Sequence, residues 1–315
     1  MWALTETILF VFGMVAFGYL AGWTGYLKVE TGDALSTFAV GVALPLLLFR
    51  TMAGADFHGA APWALWGTYF TAVAIAWTAG HLTTTRIFGR DSQAGVVGGV
   101  ATAFSNLVLL GIPFTLSIFG QAGFETLSLL IGVHLPVMIL ASMILFEVFG
   151  PKRPDHPASA VVADFISRIV RNPLIVGILG GLAWRFLGLP LSGLFERFVD
   201  SLADVAGPVA LFAMGLGLRK FGISGNVRPA FTLSLLKLML MPAVALAVAW
   251  AVGLPPLTAK VVVAAAALPS GVNSYLIAMQ LGTGQALASN QMTIATAMAA
   301  VTTALWVTIA TLMFG

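Results

Sequence analysis

The feature that most constrains this chain is a succession of apolar runs of about 20 residues, the length an α-helix needs to cross a hydrocarbon core about 30 Å thick. Ten such runs follow one another, over residues 5–24, 34–53, 62–85, 93–119, 125–149, 172–189, 203–219, 230–252, 259–281 and 290–314. The connections between them are short, which leaves no stretch for a water-soluble domain. Only 9% of the residues are charged and 59% are hydrophobic, against about a quarter charged in a soluble domain. In lipid every backbone polar group must be satisfied internally, so the expected fold is all-α, an integral membrane protein of ten transmembrane helices.

The charges describe topology rather than a partner. A net charge of +3 could suggest nucleic acid, but the basic residues sit singly at the ends of the runs, so no nucleic-acid partner is expected. With the N-terminus placed outside, the cytoplasmic ends carry Lys28, Arg86, Arg90, Lys152, Arg153, Arg168, Arg171, Arg219, Lys220 and Arg228, and the outer ends carry Arg50, Arg185, Arg197 and Lys260. That asymmetry obeys the positive-inside rule and predicts both termini outside the cytoplasmic membrane of a bacterium. The first run has no basic region ahead of it and is expected to remain as a span. No cysteine is present, which excludes disulfides, zinc–thiolate sites and thiol nucleophiles.

The longest hydrophilic stretch, Gly150 to Arg171, contains Pro151, Pro154 and Pro157 and separates five runs from five. Because five is odd, the second group must enter the membrane inverted, the plan of inverted-repeat carriers. The division is therefore a first five-helix repeat over 1–149, a cytoplasmic linker over 150–171 and a second, inverted repeat over 172–315. Residues 163 positions apart repeat one another: Gly18 and Gly25 match Gly181 and Gly188, and Pro45 to Phe49 matches Pro208 to Phe212.

The fourth run holds Asn106 with Gly111, Ile112 and Pro113, and the ninth reads Ala267-Leu268-Pro269-Ser270-Gly271-Val272-Asn273-Ser274-Tyr275. Proline removes a backbone donor and displaces a carbonyl, so Pro113 and Pro269 are expected to break these two helices. Mirrored breaks are expected to face each other, where half-helix N-termini and the Asn106 and Asn273 amides would receive an anion. The competing reading is that the prolines and glycines merely kink two membrane helices.

On these residues, together with Lys237 and Pro242 of the eighth run, the chain resembles the auxin efflux carrier family, which includes the plant PIN proteins and bacterial dicarboxylate carriers. The resemblance covers nearly the whole chain in the number and order of its runs. It implies the crossover fold shared with sodium/bile-acid symporters, with broken helices four and nine. It further implies a scaffold from helices 1, 2, 6 and 7, a moving transport domain from helices 3–5 and 8–10, and elevator-type movement of a small organic anion. A homodimer through the scaffold belongs to the same expectation. Ala266 stands where an acidic residue precedes the Ala-Leu-Pro of many bacterial relatives, and the large hydrophilic loop of the long plant forms is absent.

Lys237 lies nine residues past Arg228, about 13 Å along a helix and deep in the membrane. Either it snorkels to the cytoplasm, or it bonds carbonyls freed by the breaks or lends positive potential to an anion. His134, beside Leu135 and Pro136, is the histidine well inside a run and could contact substrate or carry a proton, or simply pack. The candidate substrate-binding set is thus Asn106, Gly111, Pro113, His134, Pro269, Ser270, Gly271, Asn273 and Tyr275, with Lys237 in support. Gln280 and Gln291 carry less information. No metal or cofactor is expected, since the carboxylates fall at run ends, and no enzyme activity, since no nucleophile has a base at helical spacing. No phosphate-binding Gly-Lys-Ser/Thr loop occurs. The function expected is secondary transport of a small carboxylate, an indole acid or a short dicarboxylate. The alternatives are a proton- or sodium-coupled symporter of bile-acid type and a non-transporting receptor or channel.

Overall fold

The computed structural model describes residues 2–55, 62–149, 158–220, 223, 225 and 227–315. The described residues form helices: α1 Trp2–Trp23, α2 Val29–Phe38, α3 Leu44–Gly54, α4 Pro62–Leu82, α5 Ser92–Ala103, α6 Ile112–Phe149, α7 Ala158–Val170, α8 Pro173–Phe186, α9 Gly193–Asp204, α10 Ala206–Leu218, α11 Arg228–Leu235, α12 Met241–Val252, α13 Pro256–Ala267, α14 Asn273–Leu281 and α15 Gln285–Phe314. Six helical segments among them are long and apolar enough to cross a membrane. Others are short, and the reason is local. α13 stops at Ala267 because Leu268 turns extended (ψ 146°) ahead of Pro269, and α5 stops at Ala103 because Phe104 does the same (ψ 93°). α6 is interrupted at Gly120, whose φ of 63° and ψ of −162° suit glycine alone.

One expectation about these elements is corrected. Pro113 does not break the fourth run; the break lies at Phe104–Asn106, and Pro113 enters the first turn of α6, where no N–H is required of it. A wide π turn, Leu107–Gly111, precedes it. The same device appears at Ala39–Ala43 before Pro45 and at Leu236–Leu240 before Pro242. In the wide turns the residue before the proline bonds five residues back, Leu44 N–H to Ala39 O and Met241 N–H to Leu236 O, and the proline itself donates nothing. The later part of the stretch expected as a linker, 150–171, is helix α7. The Pro151 to Pro157 segment with Lys152 and Arg153 lies outside the described residues.

The chain divides into two compact units, the first over Met1–Ala60, Val108–Pro136 and Pro157–Lys220, the second over Ala61–Leu107, Val137–His156 and Phe221–Gly315. In the first unit α1 lies on α10 and α3 lies on α8 at backbone contact. A Cβ on Gly18 would strike the Phe212 carbonyl and one on Gly215 the Val15 carbonyl; one on Gly181 would strike the Phe49 carbonyl and one on Gly177 the Pro45 carbonyl. Small residues let helix backbones approach in lipid, where packing rather than water exclusion drives association. Gly25 and Gly188 both close their helices with positive φ (75° and 64°), bonding Gly22 O at 3.2 Å and Arg185 O at 2.9 Å. Arg50 of α3 reaches Asp200 and Asp204 of α9 at 2.9 and 2.8 Å.

In the second unit α5 is buried along its length because its sequence is small. Gly98 meets Thr84 and the Gly80 carbonyl of the α4 region, and Gly99 meets Trp77. Asp91 caps α5 by accepting from Ala94 N–H at 2.7 Å.

Candidate functional site

The second unit carries the breaks of the fourth and ninth runs. Where α5 and α13 end, their chains turn extended and pair antiparallel at Ser105 and Ser270, with Asn106 N–H donating to Pro269 O at 2.8 Å. Proline at 269 suits this place, because a single bridge asks for its carbonyl and not for an N–H.

Directly opposed residues of an antiparallel pair share a face, and the next residues take the other. Ser105 and Ser270, 1% and 0% exposed, accordingly face the same way. Lys237 Nζ donates to Ser105 Oγ at 2.8 Å, and Ser270 Oγ donates to Gln291 Oε1. Tyr69 of α4, fully buried, brings its hydroxyl to Ser105. This is a supporting face, and Ser270 belongs to it. On the other face Asn106 packs its side chain over Gly271: a Cβ there would lie 3.3 Å from the Asn106 Cβ and Cγ. Two residues on, Asn273 opens α14, with Ser274 Oγ bonded to Gly271 O at 3.0 Å. Asn273 and Tyr275 are half-buried. The opening N–H groups of α14 have no helical carbonyls ahead of them, and the helix dipole adds partial positive charge at that end.

The carbonyls that the breaks release are met by side chains. In a continuous helix Ala266 O would take the N–H of Ser270; here Lys237 Nζ donates to it at 2.7 Å, with Met241 Sδ a further contact at 3.0 Å. Ala267 O receives Thr303 Oγ1 at 3.3 Å. Leu238 O, deprived by Pro242, receives Trp306 Nε1 at 2.8 Å. Each such carbonyl left bare in hydrocarbon would cost several kcal/mol. Lys237 is 0% exposed with its ammonium inside the fold, so it does not snorkel.

Of the sequence-predicted residues, Asn106, Lys237, Pro269, Ser270, Gly271, Asn273 and Tyr275 belong to the second unit and lie in or beside these segments. Gly111, Pro113 and His134 belong to the first unit. There Pro113 lies against Gly207, with 3.5 Å between its Cβ and one built on that glycine, and His134 is buried in α6 at 1% exposure. Sequence reading named Gln291 but gave it little weight. It is fully buried, accepts from Ser270, lends its backbone carbonyl to Ser234 at 3.3 Å, and keeps an Nε2 donor without a hydrogen-bond partner. Its position inside the tenth run, one residue past Asn290, was the available signal, since an amide pair in a span is costly unless used. Among the described residues no cluster of three metal-ligating side chains occurs.

A family profile described as membrane transport protein matches residues 3–307. An uncharacterized transporter of Methanothermobacter thermautotrophicus is 26% identical over 96% of this chain and 97% of its own length. A proposed malonate transporter of Rhizobium meliloti is 27% identical over 95% of this chain and 93% of its own length. Auxin efflux carrier component 1 of Arabidopsis thaliana is 28% identical over 36% of this chain and 19% of that protein.

Proposed function

The chain belongs to the membrane transport protein family, and on that premise we propose that it is a secondary carrier of a small carboxylate anion. The ligand sits on the Asn106–Gly271 face, held by the two asparagine amides and the N-terminus of α14. The observation that carries this reading is the pairing of Ser105 with Ser270, which brings two broken segments together at a helix N-terminus with an amide directly over it. A short dicarboxylate is favoured among carboxylates by the name of the Rhizobium meliloti relative.

The reading includes ten spans in two inverted repeats, 1–149 and 172–315, in a bacterial cytoplasmic membrane with both termini outside. Support comes from the first unit, where contacts repeat with the halves exchanged. Gly18 meets Phe212 O and Gly181, 163 positions later, meets Phe49 O, 163 positions earlier. Gly25 and Gly188 close α1 and α8 with equivalent bonds. Residues 1–60 and 157–220, which carry spans 1, 2, 6 and 7, fall in one compact unit, together with residues 108–136 of the fourth and fifth runs. Elevator movement and a scaffold-mediated homodimer are parts of the same proposal.

Counterflow in liposomes with malonate-sized diacids and with indole acids tests it. Saturable exchange is expected; its absence for both classes, with a thermal shift by the same ligands, would leave a receptor instead. Asn106→Ala and Asn273→Ala are each expected to weaken binding by about 1–2 kcal/mol, close to tenfold in Kd, without loss of fold. Unchanged binding in the double variant moves the site elsewhere. Cysteines at Asp155 and Gly315 of this cysteine-free chain are expected to label from opposite sides, and same-side labelling sinks the inversion.

A further inference from the structure

α7 is 13 residues long, about 20 Å, and too short to span. Its sequence puts Val161, Val162, Phe165, Ile166, Ile169 and Val170 at i, i+1, i+4, i+5, i+8 and i+9, a single apolar arc over about half the helix circumference. Ser167 and Arg171 lie on the opposite arc and Arg168 at its border. The helix packs mainly on α8, which follows it. Phe165, Ile169 and Ser167 are half-buried, while Ile166 and Val170 remain 54% and 65% exposed. Basic residues bracket the element, with Lys152 and Arg153 before it and Arg168 and Arg171 at its end, against Asp155 and Asp164.

We propose that α7 is an interfacial helix that docks on anionic phospholipid. Its Ile166–Val170 edge sinks at the headgroup boundary, and Arg168 and Arg171 meet lipid phosphates. An amphipathic helix with a basic polar face lies in the plane of the interface, with its apolar side a few ångströms into the acyl region. The span that begins at Pro173 holds α7 beside the bilayer, and the net positive charge around it selects acidic headgroups. The linker is then a lipid-anchored strut joining the two halves of the chain rather than a free tether.

The full chain, which has no cysteine, carries a single cysteine at Ile166 or at Ser167, labelled with an environment-sensitive fluorophore. It is reconstituted into phosphatidylcholine vesicles with or without phosphatidylglycerol. The Ile166→Cys probe is expected to shift to the blue and to be quenched by lipids brominated just below the headgroup, and the Ser167→Cys probe to stay wet. Arg168→Gln and Arg171→Gln are each expected to lower the docked-to-undocked ratio about fivefold in anionic vesicles and to change nothing in neutral ones. Equal quenching of both probes, no response to phosphatidylglycerol, or burial of the Ile166→Cys probe that appears only at high protein-to-lipid ratio overturns the proposal; the last outcome assigns the face to a second copy.

Discussion

The two units solve one problem, burying backbone where no water can reach it, in opposite ways. The first presses helices together on glycine, so that Gly18, Gly177, Gly181 and Gly215 each touch a carbonyl of the neighbouring helix. The second breaks two helices and covers carbonyls at the end of α13 with Lys237 and Thr303, as it covers Leu238 O, deprived by Pro242, with Trp306. The second leaves amides and helix ends gathered at one place, at the cost of burying the Lys237 side chain. The halves of the chain remain matched where packing rules, at Gly18 and Gly181, and differ where polar support rules: Ala74 stands 163 positions before Lys237.

The largest effect that could break this contrast is expected at Lys237. Lys237→Met keeps a long apolar stem but strips Ser105 Oγ and Ala266 O of their donor, a loss of about 2–4 kcal/mol for two buried acceptors. Counterflow is expected to collapse while the amount of inserted protein falls far less; transport at the parental rate would make Lys237 dispensable to the breaks. Next come Gly18→Ala and Gly181→Ala, which force apart α1 from α10 and α3 from α8 at about 1–3 kcal/mol each. Thermal unfolding in detergent reads both, and the matched contacts require similar losses. A large loss at one and none at the other would dissolve the equivalence. A smaller effect is expected from Gln291→Leu, which takes the acceptor from Ser270 Oγ at about 1 kcal/mol. Ligand affinity should fall through the displaced Ser270 and Gly271 while thermal stability barely moves; an unchanged Kd restricts Gln291 to packing. The smallest is Thr303→Val, which removes a long bond to Ala267 O and should cost about 0.5–1 kcal/mol, read as a slight lowering of Tm.

Much of this was legible in the chain itself. Run length, scarcity of charge and the absence of cysteine determine a helical membrane protein, because hydrocarbon admits few backbone arrangements. The glycine and proline spacing pointed to the repeats, and the Pro269-Ser270-Gly271 run to a break, since those residues act through their own backbone. What the sequence could not place was any feature that depends on a partner far along the chain. The break in the fourth run came nine residues before the proline expected to cause it, because the extended Phe104–Asn106 segment is held by the ninth run and not by Pro113. Gln291 looked uninformative until Ser270 was beside it. Lys237 had three readings, snorkelling, bonding freed carbonyls or lending positive potential to an anion, and its bond to the Ala266 carbonyl speaks against the first. Local backbone chemistry is written in adjacent residues; which carbonyl is left bare, and which side chain arrives to cover it, is decided only when residues 105, 237, 266, 270 and 291 come together.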